Sequence, residues 1–208
     1  MKIGYFADGP WSHKALELIV SDPAMEIVFI IPRFDTRDPV LNKHAKKLNI
    51  PFVPTENINT PEFLSFMDGY SPDILVSMSF NQIFRQGIID YAPNGLINCH
   101  AGALPFYRGR NPLNWALING ENNFGITVHY VDAGIDTGDI IEQRIYPIEE
   151  SDTYKNLLET ASTECANVLY PALKSIKNNT VSVKKQSDIH PVGTYFGART
   201  WGDEKIDF

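Results

Sequence analysis

The sequence predicts an α/β fold: a mostly parallel twisted sheet with helices on both faces. Three observations carry this. Apolar runs of strand length, "KIGYFA", "MEIVFII", "DILVSMS" and "GLINCH", recur through the first half of the chain. Segments of helical spacing alternate with them, which is the pattern of βαβ units. Turn and cap residues stand at the joints, as in "DGPWS" and at Thr60-Pro61.

Taken in order, "KIGYFA" is a buried strand, and the turn after it leads into a helix carrying Ala15, Leu16, Ile19 and Val20. "MEIVFII" is the second strand, "VLNKHAKKL" a helix and "IPFVP" a short third strand. Thr60 caps the helix "TPEFLSFMDGY". "DILVSMS" and "GLINCH" are the fourth and fifth strands. The second half changes character. "NPLNWALING" is helical, and "FGITVHYV" alternates, with Ile126, Val128 and Tyr130 on one face. "GDIIEQRIYPI" is a further strand. A long amphipathic helix runs from Ser151 to about Lys177 on the stripe Tyr154, Leu157, Leu158, Ala161, Cys165, Val168, Leu169, Ala172, Leu173 and Ile176. Pro171 lies inside that stripe, which predicts a kink or a break. Residues 180 to about 208 are polar and irregular, expected as a hairpin and an extended tail, and the division expected is a catalytic domain over residues 1–187 and a C-terminal tail over residues 188–208.

Composition narrows the function classes. The chain has 208 residues, enough for a real core, and a net charge of −7. Phosphate backbones call for a basic footprint, so the balance argues against nucleic acid as the main partner. No apolar run approaches the roughly 18 residues needed to span a bilayer, and Lys2 and Ile3 enter a strand directly. The expected location is the cytoplasm. Cys99 and Cys165 have no motif spacing and suggest neither a disulfide framework nor a metal site.

In an open parallel sheet, chemistry gathers at the carboxyl ends of the strands. "LINCHAGALPFYRGRNP" (96–112) ends an apolar strand on Asn98 and His100, which alternation puts on one face and Cys99 on the other. Asp136 in "GIDTGD" reaches the same edge. A His, an Asn and an Asp from separate segments can orient one another and a reacting carbonyl; a structural hydrogen-bonding set is the alternative. Cys99 is expected in the core. His13, His44 and His190 read as surface or capping residues, and His129 can point either way.

"INCHAGALPFYRGRNPLNWALINGE" followed by "GITVHYVDAGIDTGDII" resembles the folate-dependent formyltransferases, over residues 1 to about 187. Their Asn-x-His strand end, small-residue loop closing on Leu-Pro and Arg-Gly, and glycine-flanked Asp match Asn98, His100, Gly102 to Pro105, Arg108-Gly109 and Asp136. The resemblance implies a Rossmann-like formyltransferase fold with Asn98, His100 and Asp136 as the catalytic groups. It also implies N10-formyltetrahydrofolate as co-substrate and no metal. "SMSFNQIF" and "YFGARTWGDEKIDF" look most like the sugar N-formyltransferases acting on dTDP-linked 4-amino-4,6-dideoxyhexoses for surface polysaccharide such as O-antigen. The glycinamide ribonucleotide enzymes carry a Gly-Asn-Gly-Ser loop where this chain has "DGPWSH". The tRNA-acting enzymes carry a basic insertion after Arg-Gly, where this chain runs straight into "RNPLNW".

On that resemblance, Asn98 and His100 donate to the formyl oxygen as it gains charge, fixed donors being worth about 3–4 kcal/mol each. Asp136 orients His100 and takes, directly or through water, the proton lost by the attacking amine. The pterin is expected against Phe80, Gln82, Ile83 and the Asp132 to Asp136 loop, with Gly102 and Leu104 in the donor site and Leu104 as an apolar wall; loop packing is the alternative for Phe80 and Ile83. Trp11 either stacks on a sugar or base or caps the first helix. Arg33, Arg108 and Arg110 are diphosphate candidates or solvated surface. Other amine acceptors, of glycinamide ribonucleotide or methionyl-tRNA type, stay open. So do a formyltetrahydrofolate hydrolase and a Rossmann-like binding module, though only Gly9 stands where the latter needs a glycine fingerprint. Tyr195, Phe196, Trp201 and Phe208 in the tail imply that it folds back over the domain or joins two subunits, and a homodimer is expected.

Overall fold

A computed structural model describes residues 1–203. In chain order its elements are β1 (Lys2–Ala7), α1 (Pro10–Ser21), β2 (Glu26–Ile31), α2 (Pro39–Leu48), α3 (Pro61–Asp68), β3 (Ile74–Met78) and α4 (Gln86–Ile89). Then come β4 (Leu96–His100), β5 (Arg108–Gly109), α5 (Pro112–Ile118), β6 (Asn123–Tyr130), β7 (Ile140–Pro147), α6 (Tyr154–Lys177) and β8 (Tyr195–Phe196). The main sheet has the order β2-β1-β3-β4-β6-β7. Pairing is parallel from β2 to β4 and antiparallel through β6 and β7. This is the expected mostly parallel sheet with helices on both faces.

Each face of the sheet has its own core. On one, Ile3, Tyr5, Val76, Ile97, Cys99 and Val128 pack with α1 and α6. On the other, Phe6, Phe29, Leu75 and Leu96 pack with Phe63 and Met67 of α3. The second core is strongly aromatic: the Phe6 ring stands edge-on to Phe29, Phe63, Phe80 and Phe84, an arrangement ring quadrupoles favour. The Leu96 face runs on through Asn98 to His100, so one sheet surface passes from apolar to polar along β4.

Three local expectations are corrected. "IPFVP" makes one isolated bridge, Ile30 to Phe52, and no strand. Pro51 and Pro54 have no N–H to extend a ladder. Pro171 does not break α6, which runs unbroken from Tyr154 to Lys177. Val168, Leu169, Ala172 and Leu173 around it are all buried, and their packing outweighs a local penalty of about 3 kcal/mol. The Tyr170 hydroxyl donates to Asp22 at 2.9 Å, tying that part of the helix to the end of α1. Tyr154, placed on the apolar stripe, is exposed.

The tail forms no hairpin. Lys184 bridges to Ile140, residues 186–188 form a single 3-10 turn, and β8 pairs in parallel with β5. Phe208 lies outside the described residues. Among the described residues, no helix is long and apolar enough to cross a membrane.

Cys99 is buried on the back face, its Sγ 3.6 Å from the Cys165 carbonyl. Cys99→Ala should cost on the order of 1 kcal/mol in a denaturant titration and leave ligand binding in the front cleft within a few fold. A folded variant that no longer binds would place the thiol in the site.

Candidate active site

Register brings the polar side chains together. Asn98 lies opposite His129, and His100 opposite Thr127, across the antiparallel β4–β6 pair. Paired residues point to the same face, so these four side chains share one surface. Ser77 extends it from β3. Next to that surface, the 132–138 turn carries Asp136 at φ 54, in the left-handed region that Asp tolerates better than most residues.

Asp136 lies between two imidazoles. Its Oδ2 is 3.7 Å from His100 Nδ1, and its Oδ1 is 3.4 Å from His129 Nε2. Each ring spends its other nitrogen on a backbone carbonyl. His100 Nε2 donates to Tyr107 O at 2.7 Å, and His129 Nδ1 donates to Tyr130 O at 2.7 Å. The nitrogens facing Asp136 therefore carry a proton only when the rings are charged. His129 Nε2 also lies 3.4 Å from Asn98 Nδ2. When neutral it accepts from the amide; when charged it donates to the carboxylate.

A third partner fixes Asp136: the Gly109 N–H donates to Oδ2 at 2.9 Å. Burial alone would raise the Asp136 carboxyl. The His100 charge, the bond and charge of His129, and the Gly109 N–H outweigh it, and the carboxyl ends well below the usual carboxylate range. Gly109 is at φ 94, and a Cβ there would stand 2.2 Å from Phe196 O. At Gly102 a Cβ would come within 2.6 Å of His100 Nε2. Both positions need glycine for close approach.

The group opens on a cleft of about 730 Å³ along the carboxyl ends of β3 and β4. Asn98, His100, Asp136, Phe80, Gln82, Ile83, Asp132, Trp11, Arg33 and Arg110 all line it. Among the described residues no cluster of His, Cys, Asp and Glu could hold a metal ion.

The sequence pattern described as formyl transferase matches residues 19–173. The chain belongs to the formyl transferase family. Methionyl-tRNA formyltransferase of Acetivibrio thermocellus is 33% identical over 203 residues, covering 94% of this chain and 64% of that protein. The Alkaliphilus oremlandii protein of the same name is 32% identical, covering 100% of this chain and 69% of its own length. Against several other curated relatives the chain spans about half the length. Among solved structures, WlaRD, a sugar 3N-formyltransferase studied with dTDP and 5-N-formyl-THF, is 28% identical with a TM-score of 0.73, covering 95% of this chain and 69% of WlaRD. Glycinamide ribonucleotide transformylase 1 of Symbiobacterium toebii shares the fold at 22% identity, with a TM-score of 0.78 over 89% of this chain and 92% of that one.

Several side chains of the site have different surroundings from those expected. Leu104 is buried and does not line the cleft; its N–H donates to Thr127 Oγ1, and its carbonyl accepts from Gln143. Gly102 lines a smaller cavity behind the loop. Arg108 is not in the cleft: its guanidinium donates to Gln186 Oε1 and Val192 O. It is withdrawn as a diphosphate ligand, since the donors such a ligand needs are already spent on the protein. Gln82 reaches the cleft, but its amide is bonded to Ile58 N and Thr55 O and fixes the loop beneath. Arg33 holds Ser79 through its hydroxyl and carbonyl.

Two residues belong to the site without having been singled out for it. His129 lies opposite Asn98, on the face that alternation with Ile126, Val128 and Tyr130 assigns to it together with Thr127. Gln186 gave no signal at all in the sequence.

An Asp whose folded pKa lies below its unfolded value stabilises the protein above the unfolded pKa of about 4, and that stability is lost as pH falls toward the folded pKa. Wild type should therefore exceed Asp136→Asn in stability most at pH 5, with the gap narrowing toward pH 3. Thermal unfolding of both proteins across that window checks it, and a gap that widens on acidification contradicts the paired carboxylate.

Proposed function

We propose that this chain transfers a formyl group from N10-formyltetrahydrofolate to the amine of a nucleotide-linked amino sugar. The dTDP-4-amino-4,6-dideoxyglucose type is the specific acceptor proposed, for surface polysaccharide synthesis. The observation that carries formyl transfer is the convergence of Asn98, His100 and Asp136, with His129 behind them, at the wall of an open cleft. Cys99 adjoins the cleft, but alternation turns its side chain to the face of β4 opposite His100, so the two do not make a nucleophile with its base. Acyl transfer without a covalent enzyme intermediate needs donors for the oxygen that gains charge and a group that manages the amine proton.

The chain's residues fit those tasks. The formyl donor supplies an activated amide carbon. Asn98 Nδ2 is an N–H donor on the cleft surface. His100 cannot donate through Nε2, which the Tyr107 carbonyl holds, so its donor is Nδ1–H in the charged ring. The ionised Asp136 stands beside it, Oδ2 3.7 Å from Nδ1. Asp136, acceptor on both oxygens, can take the proton leaving the amine, directly or across one water, as the new N–C bond forms; when the C–N10 bond breaks, a proton passed on from that carboxyl or from charged His100 lets N10 leave as the neutral amine of tetrahydrofolate. His129 is the third group able to bear a proton next to Asp136.

For the acceptor, the support is the net charge of −7, WlaRD's named activity, and the presence of Trp11 and Arg110 along the cleft. An aromatic face and a guanidinium group suit a base or sugar and a diphosphate. A second reading, methionyl-tRNA as acceptor, is favoured by the names of the curated relatives. A cytoplasmic homodimer completes the proposal: Trp201 is 90% and Tyr195 57% exposed, and symmetric dimers are the commonest closed assemblies. Light scattering of the full chain reads the mass.

The deciding assay offers N10-formyltetrahydrofolate with dTDP-, UDP- and GDP-amino sugars, glycinamide ribonucleotide and methionyl-tRNA in turn. Formylated dTDP-amino sugar is expected. Formylation of methionyl-tRNA alone would replace the sugar reading, and formate release without any acceptor would make the chain a hydrolase. With the active acceptor, Asn98→Ala should lower kcat by about 10²–10³. His100→Ala and Asp136→Ala should lower it at least as far, with nucleotide-sugar binding retained by calorimetry. Unchanged turnover in any of the three would remove that residue from the mechanism.

A further inference from the structure

The loop at residues 101–110 presents two backbone groups to the site: the Tyr107 carbonyl to His100 and the Gly109 N–H to Asp136. Tyr107 immediately precedes β5 and Gly109 ends it, and the two groups leave on one edge. On the opposite edge the Arg108 N–H donates to Thr194 O, and the Arg110 N–H donates to Phe196 O. One short strand is thus joined to the catalytic pair on one side and to the tail on the other. Further contacts hold the tail to the loop. Thr194 N donates to Pro105 O, Tyr107 N donates to Thr194 Oγ1, and the Phe196 ring stacks between Tyr107 and Trp115.

One side chain links this clamp to the Asp136 turn. Gln186 is 3% exposed, and its amide is fully engaged. Its Oε1 accepts from Arg108 Nε at 2.9 Å and from Nη2 at 2.7 Å. Its Nε2 donates to Asp136 O and to Gly138 O, each at 2.8 Å. Arg108 then passes to the tail through Nη1, which donates to Val192 O at 2.9 Å. Gln186 therefore touches the backbone that carries Asp136 and the side chain of the strand that supports both Asp136 and His100. It lies beyond residues 19–173, the span matched by the family pattern.

We infer that Gln186 is a positioning residue for the formyl-transfer site, setting the distance between the Asp136 carboxylate and the His100 ring through Arg108 and the β5–β8 clamp. The amide is the group required. A carboxylate at this position keeps the bond to Arg108 and loses both donors to the Asp136 turn. An apolar side chain of equal length loses all four bonds. The inference rests on the proposed function for its kinetic consequence and is independent of it for its structural one.

The test compares wild type, Gln186→Met and Arg108→Lys as full chains, with two readouts. In the ligand-free protein labelled with ¹⁵N-histidine, ring signals report the surroundings of each imidazole. His100 and His129 should shift in both variants, while His13 and His44, far along the chain, hold still. In the transfer assay, Gln186→Met should lower kcat about 10- to 100-fold with KM for the formyl donor within about threefold, as misplacement of reacting groups does. Gln186→Glu should restore only part of the rate. If Gln186→Met does not fold, Arg108→Lys carries the same expectation in weaker form. Folded variants with unshifted His100 and His129 signals and kcat within twofold of wild type would overturn the inference. If wild type transfers no formyl group to any acceptor, the functional reading fails, and the ring signals alone decide the clamp.

Discussion

Asp136 is a largely buried carboxylate, its side chain 14% exposed, and withdrawing an ionised carboxylate from water is costly unless it is paired and hydrogen-bonded. Its partners are His100 on β4, His129 on β6 and the N–H of Gly109 on β5. Those three come from different parts of the chain, so the turn at 132–138 is in place only when the central strands are in register and the 101–110 loop is seated. Cross-strand pairing of Asn98 with His129 sets the two imidazoles on one surface, and a slip of one residue in β6 would send His129 into the opposite core. The antiparallel half of the sheet thereby brings the second histidine to Asp136.

Much of this could be read in the sequence for a physical reason. Apolar strand runs and helical stripes record burial, and burial is what places β1, β2, β3, β4 and β6. Alternation also put Asn98 and His100 on one face. Prolines worked in both directions. They stopped "IPFVP" from becoming a strand, where backbone donors decide the outcome. Pro171 failed to stop α6, where side-chain packing decides it. Composition gave no sign of Gln186, because a buried amide looks like any surface glutamine until its three partner residues, all distant in sequence, are assembled around it.

The arginines show the same limit. A guanidinium near a predicted site reads as an anion ligand, yet Arg108 and Arg33 are largely spent on protein acceptors. Ser79, Asn111 and Asp136, all lining the cleft, have positive φ, as does Tyr107 in the adjoining loop. Such backbone costs of order 1–3 kcal/mol per residue and persists only where its surroundings over-determine it. Arg33 does this for Ser79, and Gln186 does it for Asp136. Irregular backbone at this site has therefore drawn its cations into structural service, leaving Arg110 as the exposed arginine among the cleft residues.

Why a two-residue strand should sit beside the site follows from hydrogen-bond accounting. Every backbone N–H and C=O in a buried segment must find a partner. Inside the main sheet both edges of a strand are consumed by neighbouring strands, and none of its groups is left for a side chain. A helix consumes them internally. Only an edge strand has one row free, and in this chain that row is the Tyr107 carbonyl and the Gly109 N–H, delivered two residues apart to an imidazole and a carboxylate. Such a strand cannot hold itself in place, because a pair of residues makes too few bonds to fix its own conformation. Something outside the sheet has to occupy its other edge, and β8 does. The tail is therefore part of how the site is held together, and the position of the 101–110 loop depends on residues such as Thr194, 87 positions beyond Tyr107.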